Sequence, residues 1–159
     1  MTPHFPAWHE VAEEFEFNGS WRDIYVRDAG PAGWQVVLDA IRARNPPPRF
    51  LVDGEPADMP ARIEDVFALA QTASALLSVQ VGAALANCHF FWNDDIEFDI
   101  DPREITGKGD FEALARFMLW LGELTGRPVV LTPENSREDV ILICPPGSRR
   151  VAHSPRADP

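Results

Sequence analysis

The chain has 159 residues, 45% of them hydrophobic and 25% charged, and carries a net charge of −11. A single domain of that size buries about two-thirds of its unfolded surface, and this composition fits neither a disordered chain nor a coiled coil. No apolar run reaches the ~18 residues of a membrane span, and the first residues lack the basic start and apolar run of a secretory leader. A cytoplasmic protein is therefore the expectation.

The charge is unevenly placed. Residues 148–159 hold Arg149, Arg150 and Arg156 against Asp158, a net +2, which leaves −13 on the other 147 residues. Such a surface repels phosphate backbones and anionic lipid, so nucleic acid and membranes are set aside as partners. A basic protein is the partner the charge favours. Thirteen Arg against one Lys, Lys108, follows the codon bias of a GC-rich genome. Cys88 and Cys144 sit in apolar runs with no Cys-x-x-Cys spacing, so they read as buried small hydrophobes.

In chain order, residues 1–12 are Pro-containing and expected to be partly ordered at best. Residues 14–17 and 21–26 alternate around Asn18-Gly19-Ser20, which predicts a hairpin with Phe17 opposite Trp21 and Glu16 opposite Arg22. The second arm is apolar on both faces, as an interior strand is. Pro31 in a first turn, then Trp34, Val37, Leu38 and Ile41 at helical spacing, predict an amphipathic helix. Pro46 to Pro48 stop it. Residues 49–57 read as a hairpin turned at Asp53-Gly54, its return arm held at an edge by Pro56. Ile63, Val66, Phe67 and Ala70 mark a helix over residues 61–71.

Leu77, Val79 and Val81 then alternate with Ser78 and Gln80, Gly82-Ala83 turns the chain, and a strand runs over 84–92. Ile96, Phe98 and Ile100 alternate strictly with Glu97, Asp99 and Asp101, a strand with one wet face. The best helix runs from an N-cap at Asp110 through Phe111, Leu114, Phe117, Met118 and Leu121 to Gly126. Residues 129–132 and 140–144 are covered strands. Residues 146–159 read as a flexible tail. Strand pairs separated by single helices predict an α+β fold: a mainly antiparallel sheet of hairpin and meander strands with about three helices, largely on one face. The single domain spans residues 13–145.

The candidate site lies on the wet face of that meander. A three-residue loop at residues 93–95 sets His89 opposite Asp99 and keeps oil from charge; a two-residue loop would set Cys88 against Asp99. With the Gly82-Ala83 turn, this register gathers Asn87, His89, Glu97, Asp99 and Asp101 on one face, the candidate binding residues. A carboxylate beside His89 raises its basicity. Same-face carboxylates on one strand stand ~6.8 Å apart, too far to grip one ion unaided. Residues 95–106 also lack the Gly and Glu of a calcium loop, so no metal and no cofactor is expected. No phosphate loop, dinucleotide fingerprint or hydrolase motif occurs.

The stretches Asn18-Gly-Ser-Trp-Arg-Asp-Ile-Tyr-Val26, Asn87-Cys-His-Phe-Phe and Ile96-Glu-Phe-Asp-Ile-Asp-Pro-Arg-Glu-Ile105 resemble a family of uncharacterised bacterial proteins, over about residues 14–144. That resemblance implies a bacterial cytosolic single-domain protein and transfers no catalytic or binding residue. Two functional readings follow from the residues. The first is a non-enzymatic binding protein, immunity- or adaptor-like, acting on a basic partner through the acidic face. The alternative is a small hydrolase or metal-dependent enzyme using His89 with Asp99, Glu97 or Asp101.

Overall fold

Two kinds of strand build the sheet. β4 (Ala75–Val81), β5 (Ala84–Cys88) and β6 (Ile96–Ile100) alternate buried with more open residues, the period of a strand covered on one face. β1 (Arg22–Val26) and β7 (Val129–Pro133) are buried at every position, as strands covered on both faces are. With β2 (Arg49–Val52), β3 (Glu55–Pro56), β8 (Leu142–Cys144) and β9 (Ala152–His153) they make an antiparallel sheet in the order β3-β2-β4-β5-β6-β1-β7-β8-β9. The computed structural model describes residues 2–154.

Among the described residues there are four helices, giving the α+β class with one helix more than the sequence indicates. The additional one is the four-residue α1 (Trp8–Val11), followed by a 3-10 turn at Ala12–Phe15. α2 (Gly30–Arg42) has Pro31 in its first turn and buries Trp34, Val37, Leu38 and Ile41. α3 (Ile63–Ala70) buries Ile63 and Val66. α4 (Lys108–Thr125) starts after Gly107, so Asp110 lies in its first turn, where the carboxylate accepts from the Thr106 N–H and hydroxyl. It ends at Gly126, whose left-handed φ of 67° closes the helix without a Cβ penalty.

These helices share one core with the apolar face of the sheet, including Ile24, Leu77, Val79, Ile96, Phe98, Ile100 and Leu131. At 25 cal/mol per Å² each fully buried Leu, Ile or Phe contributes about 2 kcal/mol, the main force holding helices to sheet. No helix of the described residues is long and apolar enough to cross a membrane.

The β4–β5 hairpin has the register the turn dictates: Val81 faces Ala84, Val79 faces Ala86 and Leu77 faces Cys88. Gly82 holds φ at 61°, and a Cβ there would sit 2.8 Å from that of Ala113. Edge strand β3 carries Pro56 as expected.

Three expectations are corrected. Residues 14–17 do not pair with β1. Phe15 instead packs against Trp8 and Phe111 with ring centroids about 6 Å apart, and the flanks of β1 are taken by β6 and β7. The buried Arg22 donates to the carbonyls of Glu14, Glu16, Ser20 and Trp21, tying down the segment that precedes the strand.

The β5–β6 register is also different. Asn87, not His89, stands opposite Asp99, and β5 ends at Cys88. Phe90 adopts a φ of 59°, an uncommon state for a bulky residue, which turns its ring into the core against Trp34, Phe50 and Phe67. The third correction concerns the ends. Ala152–His153 pairs with β8 as the last strand of the sheet, and His4 makes an isolated bridge to Arg150 outside the strands. The rest of the expected tail, residues 155–159, lies outside the described residues.

Candidate functional site

Antiparallel pairing lines up one polar row across five strands. Ser78, Asn87, Asp99, Asp23 and Thr132 are consecutive cross-strand partners on β4, β5, β6, β1 and β7. Next to it, Glu97 faces Tyr25, which faces Val130. Both rows lie on the face opposite the helices.

Sequence reasoning places Asn87, His89, Glu97, Asp99 and Asp101 on this face, and the geometry sorts them into four groups. His89 and Asp99 meet, Nε2 lying 3.2 Å from Oδ2, across the diagonal of the observed register. Asn87 holds the row, its side-chain oxygen accepting from the Ser78 hydroxyl at 2.7 Å. Glu97 accepts from the Tyr25 hydroxyl at 3.1 Å and from the Trp92 indole N–H at 2.8 Å. Asp101 stands apart: it caps the 3-10 turn Pro102–Glu104 by accepting from the Arg103 N–H, and it pairs with the Arg103 guanidinium at 2.9 Å.

Two residues the sequence reading missed complete the cluster. Asp23 and Tyr25 are each 2% exposed. Asp23 faces Asp99 directly and accepts from the Asn135 N–H at 3.1 Å. Burial, and then the nearby Glu97 and Asp99 carboxylates, push the Asp23 carboxyl up to about 6, against the pull of the Asn135 hydrogen bond. Asp99 is raised in the same direction by burial, with His89 and the Asn87 amide opposing and Glu134 adding to the rise. Its Oδ1 is buried without a hydrogen bond. The Tyr25 hydroxyl is raised by burial and by the Asp23 and Glu97 carboxylates. It also lies 3.3 Å from Asp23 Oδ2. The Tyr25 hydroxyl therefore stands between two acceptors, Asp23 and Glu97, and its proton serves one of them at a time.

A signal for Asp23 was present: an acid in an otherwise apolar interior strand is a buried polar group that needs partners. Those partners come from β6 and from residues 134–141, far away in sequence. That connection from β7 to β8 leans over the face. Its Arg137 ion-pairs with Asp95 and lies 5.1 Å from the ring centroids of both Tyr25 and Trp92.

Beside the acids the surface is aromatic. Phe91 and Trp92 are 67% and 41% exposed, and Phe91 stacks on His89 with centroids 5.1 Å apart and planes within 9°. Among the described residues no three His, Cys, Asp or Glu side chains converge closely enough to hold a metal ion. Cys88, buried, has its thiol pushed up to about 12, so it offers no thiolate nucleophile. The arrangement is suited to receiving a positive group flanked by apolar surface.

Comparison with protein families, with curated proteins and with solved structures finds no match to this chain.

Proposed function

We propose that this protein is a non-enzymatic binding domain, immunity- or adaptor-like, whose acidic sheet face takes up a basic protein partner in the cytosol. One observation carries the reading: Asp23 and Glu97 flank Tyr25, Asp99 stands opposite Asp23, and Phe91 and Trp92 are exposed beside this acidic group. Carboxylates steer a cationic partner and set its orientation. Exposed aromatic side chains supply the burial that turns an encounter into a complex. Burial holds the Asp23 proton up to about pH 6 and the Glu97 and Asp99 charges add to it, so below that pH a cation lying against Asp99 and Glu97 favours proton release. The overall charge of −11 acts in the same direction.

The test is calorimetric titration with a synthetic peptide of mixed lysines and arginines spaced by glycine and serine. Binding is expected at low ionic strength, to weaken steeply as salt is added, and to vanish in a Glu97→Gln, Asp99→Asn double variant. Equal binding by the double variant, or none by the wild type, overturns the proposal. The hydrolase alternative draws on the His89–Asp99 contact. Hydrolysis of simple esters by the wild type and not by His89→Ala would favour it instead.

A further inference from the structure

The chain already holds one cation on this face, and it is an arginine. Arg137 is seated between two aromatic rings, Tyr25 and Trp92, with the Asp95 carboxylate as its ion partner. The parts of that seat are a flat π surface and an acid beside it. The same parts recur around His89. Phe91 is stacked on His89 and keeps 67% of its surface open, and Asp99 lies 3.2 Å from the His89 ring. Glu97 is one same-face step along β6, ~6.8 Å from Asp99. A shallow groove of about 310 Å³, bordered by Ser74, Ala75, His89 and Phe91, leaves room for the chain flanking an inserted side chain.

We infer that this second seat selects a guanidinium, so that the partner presents arginine rather than lysine to the His89–Phe91 stack. The inference rests on the binding reading above and sharpens it to a side-chain class. A guanidinium is planar and weakly hydrated, so it lies flat on a ring while its edge donates to carboxylates. An ammonium is compact and strongly hydrated, and gains little from an exposed ring. Charge complementarity alone would not separate the two cations; an exposed ring that shares His89 with the acid does.

The experiment compares two peptides of equal length and charge, one with three arginines and one with three lysines, each spaced by glycine and serine, titrated into the whole protein. The arginine peptide should bind about five- to tenfold more tightly. Phe91→Ala should erase that preference, and Phe17→Ala, at an exposed ring stacked under Arg103 elsewhere, should leave it intact. Thermal melts of both variants report whether each remains folded. Equal affinity for the two peptides overturns the arginine inference and leaves the binding reading standing. A preference that survives Phe91→Ala overturns the seat. Failure of both peptides to bind overturns both statements.

Discussion

The two faces of β6 follow different rules. Ile96, Phe98 and Ile100 are at most 1% exposed and pack under the helices, while Glu97 and Asp99 look out over a polar row assembled from neighbouring strands. Apolar burial is non-directional, so alternation alone determines which residues enter the core. The open face depends on direction and partner, and its chemistry comes from residues more than sixty positions away in sequence, such as Asp23 and Tyr25. The covered face holds the fold together; the acidic one holds groups whose charges disfavour one another.

Substitutions on either side sharpen that contrast. Phe98 is 1% exposed and meets Phe117 edge-to-face at 5.4 Å, so Phe98→Asp should cost more than about 4 kcal/mol and yield no folded protein by far-ultraviolet circular dichroism. A native-like spectrum would mean the covered face is misplaced. Next is Arg22→Ala. Arg22 is 1% exposed and satisfies four backbone carbonyls, so its loss should cost about 3 kcal/mol, read as a lower urea midpoint at unchanged slope.

Glu97→Lys belongs to the other face and should cost far less. It loses the Tyr25 and Trp92 hydrogen bonds but relieves carboxylate crowding, a net of about 1 kcal/mol or a melting shift of about 3 °C. A loss as large as that of Phe98→Asp would remove the distinction between the faces.

A further effect is one of pH. Asp23 holds its proton up to about pH 6 in the folded chain, against an ordinary value of 3.8. Between those values the folded state binds more protons than the unfolded one, so this group's stabilising contribution is complete below pH 3.8 and is lost as pH rises through about 6. The wild type should therefore lose about 3 kcal/mol relative to Asp23→Asn across that window and hold a constant difference above it. A flat difference from acid to neutral pH would show that Asp23 ionises normally.

Much of this was legible in the sequence, for stated reasons. Gly82-Ala83 specified the β4–β5 register because a two-residue turn leaves no slack. The alternation in β6 named its core face correctly. The β5–β6 register escaped because segregation of oil from charge survives a two-residue slip: pairing Asp99 with Asn87 or with His89 puts the same side chains on the same face. The left-handed Phe90, which shortens β5 and pushes Phe91 and Trp92 into solvent, has no signature in an aromatic run. Residues 14–17 alternate too briefly to outweigh the packing of Phe15 on Trp8 and Phe111. Arg137 reaches the site from a connection whose path no local pattern fixes.

The most direct test is a map of backbone amide shifts while the three-arginine peptide is titrated into isotope-labelled protein at low ionic strength. Residues 23–25, 87–92 and 95–99 should shift together and saturate with one affinity, while the helical side stays still. Shifts concentrated on the helices, or scattered evenly over the acidic surface, would contradict a partner site on the open face of the sheet.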